Sequence, residues 1–112
     1  MERISHNKLI RDKIPQIIEK SGGQCEARVL SEEEFKVELK KKLVEEAKEL
    51  LGAGDDSLVD EMADVLELLK SISEHYEIDF KLVEDKQVQK RKERGGFKKR
   101  LFLIWSSQKT GK

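Results

Sequence analysis

Five carboxylates between residues 42 and 67, in the stretch KLVEEAKELLGAGDDSLVDEMADVLE, have the types and spacing of a metal site. Glu45, Glu46 and Glu49 come before a Gly52-Ala53-Gly54-Asp55-Asp56 break, and Glu61 and Asp64 come after it. Glu46 and Glu49 are one helical turn apart, as are Glu61 and Asp64, so each pair can share a helix face. An all-oxygen donor set without nearby His or Cys selects a hard cation, Mg²⁺ first and Mn²⁺ as its substitute. Mg²⁺ held by a few carboxylates keeps positions for water and for substrate phosphates, so the chemistry implied is phosphate chemistry.

Two helices must position these groups. Phe35, Leu39, Leu43, Ala47 and Leu50 form one apolar arc at helical spacing. With Leu43 at zero, Glu46 lies about 60° away, inside the edge of that arc, and Glu45 about 160° away, toward water. Glu49 sits at the border. In the second segment Leu58, Met62, Val65, Leu66, Leu69 and Ile72 make the apolar face, with Glu61 in line with Val65, Leu68 and Ile72. The short break makes the helices antiparallel neighbours, so Glu46, Glu49, Glu61 and Asp64 converge from two facing pairs. Uncompensated, such a cluster repels itself and loses hydration, and a divalent cation resolves the conflict.

A plainer account must be weighed. Charged residues make up 41% of the chain, and an E-x-x-E spacing often marks only a solvated face with lysine pairs. On that account the chain is a non-enzymatic helical interaction module.

Glu45-Glu46-x-x-Glu49 followed by Glu61-x-x-Asp64 resembles the signature of the all-α nucleoside triphosphate pyrophosphohydrolases, the MazG-like superfamily. The opening Asn7-Lys8-Leu9-Ile10-Arg11-Asp12-Lys13-Ile14-Pro15 and the later Arg94-Gly95-Gly96-Phe97 are similar to a small house-cleaning branch related to phosphoribosyl-ATP pyrophosphohydrolase. The resemblance implies a mainly α fold, a MazG-like helical domain whose antiparallel helix pair carries the acidic site. It implies Mg²⁺-dependent hydrolysis of a nucleoside triphosphate to monophosphate and pyrophosphate, in the service of clearing non-canonical nucleotides or, alternatively, of histidine synthesis. Glu46, Glu49, Glu61 and Asp64 become the metal ligands, and Glu45 and Glu46 the catalytic carboxylates. Lys8, Arg11, Lys13, Lys90 and Arg94 become the phosphate-binding cations. A homodimer or higher homo-oligomer follows by the same analogy.

At 112 residues the chain reads as one domain over 1–105, with a disordered tail at 106–112. Its 23 basic and 23 acidic residues cancel, so no global field favours nucleic acid or an anionic membrane. No apolar run has the length of a signal peptide or a membrane span, and the single Cys25 cannot make an intrachain disulfide. A cytoplasmic setting is the expectation.

Around the helix pair, a turn or short helix is expected at 7–12 and a helix at 15–21, stopped by Gly22-Gly23. QCEARVL at 24–30 alternates like a short strand, and Leu101-Phe102-Leu103-Ile104-Trp105 reads as its partner in a small β-hairpin. Ser31 and Glu34 form a capping box before a helix over 32–51, and the next runs to about His75. Asp79 caps a third long helix, on which Lys86, Lys90 and Arg94 recur every four residues on one face before Gly95-Gly96.

Overall fold

Ser31 opens the longest helix with a reciprocal pair of hydrogen bonds. The Glu34 amide donates to Ser31 Oγ at 3.2 Å, and the Ser31 amide donates to Glu34 Oε1 at 3.1 Å. In the computed structural model, which describes residues 2–108, four α-helices follow one another: α1 (Ile14–Lys20), α2 (Glu32–Leu51), α3 (Leu58–His75) and α4 (Phe80–Arg94). A 3₁₀ turn, Asp55–Ser57, links α2 to α3. The chain divides into two compact units, Met1–Ile78 and Asp79–Lys112.

In the first unit, Pro15 occupies the first turn of α1, where its missing N–H costs nothing. Gly22, at φ +88°, then turns the chain away. Residues 7–12 are not helical; Asn7, at φ +47°, takes the left-handed conformation that its short polar side chain tolerates. Helices α2 and α3 run antiparallel: Phe35, early in α2, meets the His75 ring edge-on at 5.0 Å at the end of α3, and Glu46, late in α2, meets Glu61, early in α3. Leu39 (2% exposed) and Leu68 (9%) are the buried apolar centre of this pair. Ser73, also buried, donates to the Ile78 carbonyl at 2.7 Å and ties down the chain leaving α3.

The face of α3 that packs against α2 carries Glu61, Val65, Leu68 and Ile72, which are half-buried or buried. Met62, Leu66 and Leu69, expected to share the apolar face, lie on an open side of the helix and are exposed. Ala47 of the expected α2 arc is exposed as well, as are Val37, Val44 and Leu51, which recur every seven residues. The helix pair therefore buries one stripe and leaves a second apolar stripe to solvent.

In the second unit, the Asp79 carboxylate accepts from the Lys81 amide at 3.0 Å and starts α4. Gly95, at φ +84°, ends it in a conformation that favours glycine. Leu101–Trp105 follows in an exposed, non-helical segment.

No strand occurs among the described residues, so the expected β-hairpin from 25–30 and 101–105 is not formed. Residues 24–30 lead instead into α2, with the Arg28 guanidinium donating to Glu34 Oε2 at 2.7 Å. That pair holds the Glu34 carboxyl down at about 2, chiefly through the Arg28 hydrogen bond and then through the Ser31 amide. Residues 109–112 of the expected tail lie outside the described residues. No helix among the described residues is long and apolar enough to cross a membrane.

Two substitutions check this account of the helix pair. Leu39→Ala should destabilise the chain by about 3 kcal/mol through lost burial and a residual cavity, and Ser31→Ala by about 1 kcal/mol through the lost cap. Urea unfolding followed by circular dichroism reads both.

Candidate metal centre

Glu46 comes from the penultimate turn of α2, and Glu61 and Asp64 from the first two turns of α3, so the antiparallel pairing places all three at the end of the hairpin next to the connecting turn. One carboxylate oxygen from each lies within 4.8 Å of the others, and all three residues are half-buried. Glu61 Oε2 is buried without a hydrogen-bond partner. Such an orphaned acceptor has lost its hydration and received nothing in return.

The helical projection separates the adjacent glutamates of α2 as expected. The Glu46 side chain is 15% exposed and that of Glu45 38%. Glu49 is exposed and lies outside the close group, yet its charge acts on Glu61. Together with Lys48, Gly52, Ala53, Gly54, Ser57 and Glu61 it lines a shallow cleft of about 330 Å³ beside the turn.

Cations arrive from the segment before α1. The Arg11 guanidinium donates to Asp64 Oδ1 at 2.8 Å, and Lys8 Nζ lies 3.8 Å from Glu45 Oε1. Lys42 Nζ, on α2 itself, lies 3.3 Å from Glu45 Oε1 and 3.7 Å from Glu46 Oε1. Lys42 was legible as an i, i+4 partner of Glu46, but its place at the cluster depends on how deeply α2 is packed, which spacing alone does not give. Lys13 is the exposed residue preceding α1 and makes no ion pair with the carboxylates. Lys90 and Arg94 belong to the second unit, on α4.

Burial pushes the Glu61 carboxyl above the ordinary carboxylate range, and the charges of Asp64, Glu46, Glu49 and Asp60 push it further. The oxygen donors fit Mg²⁺. Its octahedral shell places ligand oxygens about 3 to 4 Å apart, so the 4.8 Å group would close by roughly 1 to 2 Å through side-chain rotation to form one shell. A cation there would partner the orphaned oxygen and offset the mutual repulsion.

Comparison of the chain with protein-family models, with curated proteins and with solved structures finds no match at any of the three. The functional reading therefore rests on the site itself and on the motifs of the sequence.

The raised Glu61 carboxyl has a measurable consequence. A carboxyl whose folded pKa is raised binds its proton more tightly in the folded chain, so its ionisation weakens the fold as pH rises through the carboxylate range. Glu61→Gln should therefore raise the melting temperature of metal-free protein at neutral pH, and the gain should vanish on acidification below that range. A lower melting temperature for the variant at neutral pH would mean that the ionised carboxylate is satisfied in place.

Proposed function

We propose that this chain is a Mg²⁺-dependent nucleoside triphosphate pyrophosphohydrolase that cleaves between the α and β phosphates. The observation that carries the proposal is the Glu46–Glu61–Asp64 group, with a buried, unpartnered Glu61 oxygen. An interaction surface has no use for an acceptor withdrawn from both solvent and partners, whereas a cation site does.

In this reading Glu46, Glu61 and Asp64 hold Mg²⁺, with Glu49 completing the set on the open side. Bound Mg²⁺ supplies charge neutralisation on the phosphate oxygens and acidifies a water molecule. Glu45, half-buried and poised by Lys8 and Lys42, or Glu46 beside it, accepts the proton of the attacking water. The water oxygen bonds to the α-phosphorus, the bond between that phosphorus and the oxygen bridging to the β-phosphate breaks, and the electron pair leaves with that oxygen on the pyrophosphate. Arg11 and Lys8 neutralise that leaving charge. Their ion pairs to Asp64 and Glu45 keep both cations at the carboxylates. We rest phosphate binding on these two residues.

We also propose that the working form is a homo-oligomer. The apolar side chains left exposed along α2 and α3 form more than scattered surface residues, since they follow helical spacing.

The test is release of monophosphate and pyrophosphate from canonical and modified nucleoside triphosphates, with phosphoribosyl-ATP as a competing substrate. Turnover with Mg²⁺ should fall at least about 100-fold in Glu46→Gln and in Glu61→Gln. Turnover unchanged in both variants, or orthophosphate as the product, would contradict the proposal.

A further inference from the structure

The formal charge of zero hides a division within the chain. Residues 1–78 carry 12 Lys and Arg against 19 Asp and Glu, a formal −7, whereas residues 79–112 carry 11 against 4, a formal +7. The boundary is the one that separates the two compact units.

Each side of this division presents charge next to exposed apolar surface. On α3, Val59, Met62, Leu66 and Leu69 recur at spacings of three and four residues and all are exposed. Asp60, Glu67 and Glu74, exposed and seven residues apart, run along the same helix about a third of a turn from them. In the second unit, Lys98-Lys99-Arg100 abuts Leu101–Trp105, and Phe97 (96% exposed) precedes it. The pattern is acidic beside apolar on one surface and basic beside apolar on the other. Their lengths match too: the ten residue steps of helix from Val59 to Leu69 rise about 15 Å, and five extended residues reach about 16 Å.

We propose that residues 97–105 of one copy dock along α3 of a second copy. Leu101–Trp105 covers the Val59–Leu69 stripe, and Lys98, Lys99 and Arg100 meet Asp60, Glu67 and Glu74. Exchanged reciprocally, the contact closes a twofold dimer. Electrostatics favours this occupant over another α3: joining two helix pairs through their apolar stripes alone brings two formal −7 units together, and the basic segment removes that repulsion. The inference stands on charge and exposure and is independent of the hydrolase reading.

Trp105 is the single tryptophan and lies within the docking segment, so its fluorescence reports the contact directly. Full-length wild type, diluted until sedimentation shows monomer, is titrated with excess W105F chain, which offers an intact α3 and no signal. The proposal predicts a blue shift of Trp105 emission as W105F is added, reversed by raising salt from about 50 mM to about 500 mM. K98E/K99E/R100E, checked by circular dichroism for unchanged helix content, should need at least about 10-fold more W105F for half the shift. A W105F chain also carrying D60K/E67K/E74K should restore that loss. Association without a change in Trp105 emission would assign the stripe to a partner's helices and overturn the proposal. So would emission already blue-shifted in the dilute monomer, or a shift produced by a single-stranded oligonucleotide and not by W105F.

Discussion

Glu61 stands where α2 and α3 pack, with one carboxylate oxygen buried and unpartnered and four other acidic side chains acting on it. Nearly everything else in the first unit can be read as arranging or tempering that conflict. The hairpin brings Glu46 opposite Glu61 because the chain turns within six residues between Leu51 and Leu58. The buried Leu39 and Leu68 and the Phe35–His75 contact pack α2 on α3 in the antiparallel arrangement that keeps the carboxylates together. A fold seeking only stability would place an apolar residue at 61, since burying an unpaired charge is among the costliest choices a helix interface offers. Its retention at this position is the physical argument for a cation.

The basic residues around the cluster temper the conflict without abolishing it. Arg11 pairs with Asp64, and Lys8 and Lys42 with Glu45, but each of these carboxylates keeps substantial exposure, so the pairs are worth little as stability. Their value is positional. Arg11 and Lys8 come from a segment without helical structure that precedes α1, and in the proposed hydrolase they would trade a carboxylate for a phosphate.

Much of this was legible in the sequence. The caps at Ser31 and Asp79, the stop at Gly95, and the inward Glu46 beside an outward Glu45 all follow from local chemistry and the helical repeat, and the structure has them. What the residues did not disclose were choices between equivalent partners. Helix α3 carries two apolar stripes, and hydrophobic spacing cannot say which packs on α2 within the chain. The one containing Glu61 does, and the purely apolar Val59–Leu69 stripe stays open. The expected strands failed for a related reason: alternation at 24–30 marks a segment able to pair, while pairing requires a second edge, and Arg28 commits that segment to Glu34 instead.

Direct titration of metal-free protein with Mn²⁺, followed by electron paramagnetic resonance, bears most immediately on the central claim. Wild type should hold at least one Mn²⁺ per chain, displaced by Mg²⁺, and Glu61→Gln should lose that binding while keeping its helix content. Mn²⁺ binding equal in wild type and Glu61→Gln, or no saturable binding by wild type, would contradict a cation site built on Glu46, Glu61 and Asp64.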